Sequence, residues 1–97
     1  MPDAAGFEAF YQDNLARIVR ACALVTLDVA LAEDLAAEAF ARLWSRWGQI
    51  SGSDHAGGFV FKTAMRLCTR ELRRRARAPA GKGEGVDEVQ QASIATK

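Results

Sequence analysis

The sequence predicts an all-α fold: a compact bundle of three helices, or of four, with a flexible C-terminal tail. Two observations carry this. The chain is rich in Ala, Leu and Arg, which favour helix, and poor in Ile, Tyr and Thr, which favour strands. Its apolar residues recur at three- and four-residue spacing through three successive stretches. Ninety-seven residues, 49% of them hydrophobic, suffice for one domain with a modest core.

The first helix is predicted over about Phe7 to Val25. Phe7, Phe10, Tyr11, Leu15, Ile18, Val19 and Cys22 form one apolar stripe along it. Thr26, Leu27 and Asp28 interrupt the pattern, and Asp28 is suited to cap the next helix. The second helix is expected from about Val29 to Trp47. Leu31, Leu35, Phe40, Leu43, Trp44 and Trp47 make its inward face, and Ala36 and Ala39 allow close helix approach. Asp34, Glu38 and Arg42 repeat every four residues on another face, and Gly48 suits a left-handed C-terminal position.

Residues 49–58 read as a loop by composition, with Ser51-Gly52-Ser53 near its start and Gly57-Gly58 at its end. The third helix is expected from about Phe59 to Arg77, stopping before Pro79. Val60, Ala64, Leu67, Cys68 and Leu72 would face the core; Lys62, Arg66, Arg70, Arg73, Arg74 and Arg77 would take the other side. The helical domain would thus span residues 1–78. Residues 79–97 would form a linker or disordered tail, at most weakly helical around Val86 to Ile94.

Charge is unevenly spread. Residues 1–58 sum to −4, residues 59–78 to +6 and residues 79–97 to −1. An acidic front and a compact basic block point to two different partners, one of them a nucleic acid. Cations on one helical face neutralise a row of phosphates and release counterions. Phe59 and Phe61, beside them, offer faces for unpaired bases, which suits a single or melted strand better than a duplex. The plainer reading makes Phe59 a core residue and the Arg73-Arg74-Arg75 run a solvated helix end; a membrane-surface helix is a third. Likewise the Asp34 and Glu38 face is either a dock for a basic helix of a partner protein or an ordinary solvated face.

Catalysis has no support. Gly-Gly-Phe-Val-Phe-Lys-Thr is not a phosphate-binding loop, and His55, the one histidine, reads as a loop residue rather than a catalytic base. Cys22 and Cys68 make no metal site; two half-buried thiols are expected, with a disulfide between them as the alternative. No apolar stretch approaches the roughly 18–20 residues that span a bilayer. The first six residues lack the features of a secretory signal, so a cytoplasmic location and no membrane insertion are expected.

Taken in order, three segments resemble region two of an ECF-type sigma factor of bacterial RNA polymerase. They are FEAFYQDNLARIVRACALVT, ALAEDLAAEAFARLWSRW and GGFVFKTAMRLCTRELRRRAR, which together cover about Phe7 to Arg77. The resemblance implies a non-enzymatic domain, without cofactor, that binds the core polymerase and recognises and melts the promoter −10 element. Asp34, Glu38 and Arg42 would bind the clamp helices of the beta-prime subunit. The loop at about Ser51 to Gly58, with Ser53 and His55, would pocket a flipped base. Phe59, Phe61, Lys62, Arg66, Arg70, Arg73 and Arg74 would hold the melted non-template strand. An anti-sigma factor is a further implied partner.

The chain departs from the family pattern at several points. Ala37 stands where Gln is frequent, and Phe59 and Phe61 replace Trp and Tyr. Arg66 and Arg70 replace a common Asn and a frequent Asp, which adds phosphate affinity. The helix-turn-helix segment that reads the −35 element in such factors is not in this sequence. An excised domain, a truncated product and −35 recognition supplied elsewhere all fit. The alternative function is a sigma-like interaction module that binds an anti-sigma factor without supporting transcription; a basic domain binding nucleic acid or anionic membrane without specificity is the third.

Overall fold

A computed structural model describes residues 3–50 and 53–77, and for Ser53 and Asp54 only the backbone. Three α-helices run in order: α1 (Ala4–Thr26), α2 (Val29–Ser45) and α3 (Ser53–Ala76). One 3-10 turn, Trp47–Gln49, follows α2. The described residues contain no strand, so the fold is the all-α bundle that composition and periodicity predict. The tail expected over 79–97 lies outside the described residues.

Both turns of backbone that start α1 and α2 are held by aspartates. Asp3 Oδ1 accepts from the Gly6 amide at 2.9 Å, and Asp28 Oδ1 accepts from the Leu31 amide at 3.0 Å. Asp28 is therefore the cap that the sequence suggests. Between the helices, the buried Thr26 hydroxyl donates to the Cys22 carbonyl at 2.9 Å and lies 3.2 Å from the Asp28 carbonyl oxygen. Leu27 closes α1 in the left-handed region, at φ 58° and ψ 33°, with its amide donating to the Ala23 carbonyl at 2.8 Å. This left-handed cap differs from expectation, because Gly48 has no positive φ. Instead α2 ends at Ser45, and Gly48 lies within the 3-10 turn. That turn closes through Gln49 and Ile50 amides donating to the Arg46 carbonyl, which needs no left-handed residue.

The core joins all three helices. Phe10, Ile18 and Cys22 come from α1; Ala32, Leu35, Ala36, Ala39, Phe40 and Leu43 from α2; Ala56, Val60, Ala64, Leu67 and Cys68 from α3. Ala32, Ala36 and Ala39 are fully buried, so small side chains are what let α2 sit close to its neighbours. An aromatic group closes one end. Phe7 meets Trp44 edge-on at 5.0 Å and Trp47 at 5.3 Å, and Tyr11 meets Phe40 edge-on at 5.0 Å. Trp47 thereby ties the chain after α2 back to the start of α1.

Three expectations about packing change. The third helix begins at Ser53, six residues before Phe59, so Gly57 and Gly58 are helical rather than part of a loop. Each glycine costs a helix about 1 kcal/mol relative to Ala. Ala56, however, is fully buried and continues the stripe of Val60 and Ala64 one turn further, and tertiary packing outweighs propensity. Trp44 is not an inward anchor: it is 40% exposed, with one side on Phe7 and the other in solvent. Leu72 is also exposed, at 36%, rather than part of the core.

Candidate functional site

Burying Ala56, Val60, Ala64, Leu67 and Cys68 leaves the remaining faces of α3 to its cations. Lys62, Arg66, Arg70, Arg73, Arg74 and Arg77 are all exposed, on the side the sequence assigns them. Arg66 and Arg70, one turn apart, form a ridge with a groove on each flank, because both residues line both grooves.

The outer groove, about 610 Å³, lies along α3 itself. Phe61, Met65 and Thr69 line it, and Lys62, Arg73 and Arg77 surround them. The inner groove, about 440 Å³, lies between α2 and α3. Arg42, Ser45 and Arg46 form its α2 side; Phe59, Thr63 and Leu67 join the ridge on the α3 side. The two phenylalanines thus differ. Phe59 is half-buried and packs against the core, as the plainer reading of it requires, while still reaching the inner groove. Phe61 is exposed and available for stacking.

Of the residues singled out from sequence, Phe59, Phe61, Lys62, Arg66, Arg70 and Arg73 converge on these grooves. Arg74 does not. Its Nε donates to Glu71 Oε1 at 3.1 Å, and Arg75 Nε donates to Glu71 Oε2 at 3.2 Å. Those hydrogen bonds, from Arg74 first, hold the Glu71 carboxyl below the usual carboxylate range and raise the Arg74 guanidinium. Arg75 also reaches Asp28 at 3.5 Å, tying the end of α3 to the α1–α2 turn. His55 is exposed on the first turn of α3, outside both grooves, and Ser53 opens that helix.

A second surface lies on α2. Asp34 and Glu38 are exposed, and Arg42 Nη2 sits 2.6 Å from Glu38 Oε2. Beside them, Phe7, Tyr11, Ala37, Phe40, Ala41 and Trp44 line a shallow apolar groove of about 280 Å³ between α1 and α2. Carboxylates next to an exposed apolar strip suit a protein partner better than a polyanion. Sequence reasoning missed the outward role of Trp44, whose spacing matches the core stripe. It missed Arg46 too, although the repeat of Asp34, Glu38 and Arg42 reaches Arg46 one step further.

Cys22 and Cys68 are both free and fully buried, not half-buried. Burial, reinforced by Cys68, pushes the Cys22 thiol up to about 12. A thiol so disposed is a packing group, not a nucleophile. Among the described residues no cluster of His, Cys, Asp or Glu is arranged to hold a metal, and no helix is long and apolar enough to cross a membrane.

No curated protein and no solved structure gives a significant match to the chain. The family model for Sigma-70 region 2 matches residues 10–78, more than two thirds of the sequence and nearly all of the bundle. It spans both surfaces: the acidic face of α2 and the basic ridge of α3. Core-polymerase binding and promoter recognition in transcription initiation, without catalysis, are what such a domain serves. The chain belongs to the Sigma-70 region 2 family.

Proposed function

We propose that the domain works as region two of an ECF-type sigma factor, docking on the clamp helices of the beta-prime subunit and holding the melted non-template strand of the −10 element. The observation that carries this reading is the Arg66–Arg70 ridge with the exposed Phe61 beside it. Such a surface offers cations for phosphates and a ring for an unpaired base, and stacking contributes about 1–3 kcal/mol per base. That offsets the few kcal/mol of unstacking, so binding favours the open strand without any chemical step.

On the opposite charge, Asp34 and Glu38 would meet a basic helix of the polymerase, with Arg42 holding Glu38 in place. Phe59, Lys62 and Arg73 complete the DNA side, and Arg74 supports it through Glu71 rather than in a groove. Ser53 and His55, at the start of α3, are proposed to border the flipped base. An anti-sigma factor covering either surface is the natural regulator, and the domain is proposed to act in the cytoplasm.

The test is binding of the chain to core RNA polymerase, compared with an Asp34→Ala, Glu38→Ala double variant. The expected result is tight binding that weakens by at least about tenfold, or about 1.4 kcal/mol, in the double variant. If neither protein binds, the active-sigma reading fails and the anti-sigma interaction module takes its place.

A further inference from the structure

The inner groove is concave, shared by two helices, and lined by no carboxylate. Four arginines reach it: Arg42 and Arg46 from the end of α2, Arg66 and Arg70 from α3. Glu38 answers the charge of Arg42. Among the described residues no ion pair within 4.0 Å answers Arg46, Arg66 or Arg70. Like charges gathered on one concavity raise its positive potential and make it a site for anions. The outer groove has a different character, with Phe61 and Met65 between its cations.

We propose that Arg46 is a phosphate-binding residue: with Arg66 and Arg70 it holds the backbone of an unpaired DNA strand in the α2–α3 groove, so that the bases cross the ridge toward Phe61. This rests on the nucleic-acid reading above and extends it to α2. The helix that would carry the polymerase-binding carboxylates then also carries part of the DNA site, at its C-terminal end. Arg42 stands between the two, bonded to Glu38 and lining the groove. Polymerase docking and strand capture would then share one rigid element.

The experiment is fluorescence anisotropy of a labelled, mixed-sequence single-stranded oligonucleotide, titrated with the whole chain over a range of KCl concentrations. Arg46→Ala should weaken binding several-fold at low salt and flatten the slope of log K against log salt by about 0.7, the contribution of one phosphate on a single strand. Arg46→Lys should keep most of that slope. Phe61→Ala should lower affinity with the slope unchanged, because stacking releases no counterion. Arg20→Ala, an exposed cation of α1 outside both grooves, should leave both quantities as in the wild type. Helical circular dichroism checks that each variant is folded. Wild-type affinity and slope in Arg46→Ala, with the wild-type chain binding normally, would overturn the assignment. Absence of salt-dependent binding by the wild-type chain would sink the nucleic-acid reading itself, and Arg46 with it.

Discussion

Leu27 holds the left-handed cap of α1 with its side chain 87% exposed. A non-glycine residue in that region costs roughly 1–2 kcal/mol, and almost none of this is offset by burial of the leucine. Leu27→Gly relieves the strain but loosens the unfolded chain, which costs back roughly 0.5–1 kcal/mol. The expected outcome is a net stabilisation of about 0.5–1 kcal/mol, read as a higher urea midpoint at unchanged m. A lower midpoint would mean that the leucine packs in solution in a way its exposure does not suggest. A glycine in a sequence marks an option for a turn, not its place. Gly48 had the residue type for a left-handed cap, and Leu27 has the conformation.

The element on which the others depend is α2, which packs against both α1 and α3. Its start is held by Asp28, which both caps the helix and meets Arg75 at 3.5 Å. The two roles separate by substitution. Asp28→Ala should lose the cap and cost about 0.5–2 kcal/mol. Asp28→Asn keeps a capping oxygen and loses only the charge partner of Arg75, an ion pair between partly exposed groups worth at most about 1 kcal/mol. Thermal denaturation should therefore rank wild type close to Asn and well above Ala. Equal losses in the two variants would give the stabilising role to the ion pair. The N-terminal extension of α3 belongs to the same scale: Gly57 and Gly58 read locally as a break, while the burial of Ala56 keeps the helix going.

At the scale of the whole molecule, one closed core keeps the Cys22 thiol protonated. The Cys22 thiol rises from an ordinary 9.0 to about 12, chiefly through burial. The folded state therefore binds this proton more tightly than the unfolded state does. Its contribution to stability is fully present below about pH 9 and is lost as pH climbs from there toward 12. The melting temperature should fall as pH is raised through about 9 and beyond, and Cys22→Ala should show a shallower fall despite its lower starting stability. Identical slopes in the two proteins would assign the alkaline loss to other groups. The charge pattern is also a property of the whole. The acidic and basic segments end on separate surfaces of one bundle, with Arg42 and Arg46 facing the ridge of α3.

Composition and periodicity determined that the described residues form a helical bundle and where the core stripe of α1 and most of that of α2 run, Trp44 excepted, and residue type determined that Asp28 caps α2. These are local properties, set by spacing along one helix and by the hydrogen bonds of a single turn. The same local logic placed Asp34 and Glu38 on an outward face, and Lys62, Arg66, Arg70 and Arg73 on the solvent side of α3. Only the tertiary structure decided where α3 begins, since that depends on whether Ala56 finds a neighbour to bury it. It also decided which phenylalanine is left exposed, because Phe59 and Phe61 differ by the apolar surface within reach. The same holds for Arg74, drawn to Glu71 and away from the grooves, and for Arg46, brought opposite Arg66 and Arg70 from another helix. A groove between two helices depends on the distance and angle between them, and those follow from how small side chains such as Ala36 and Ala39 pack, not from any one segment's pattern.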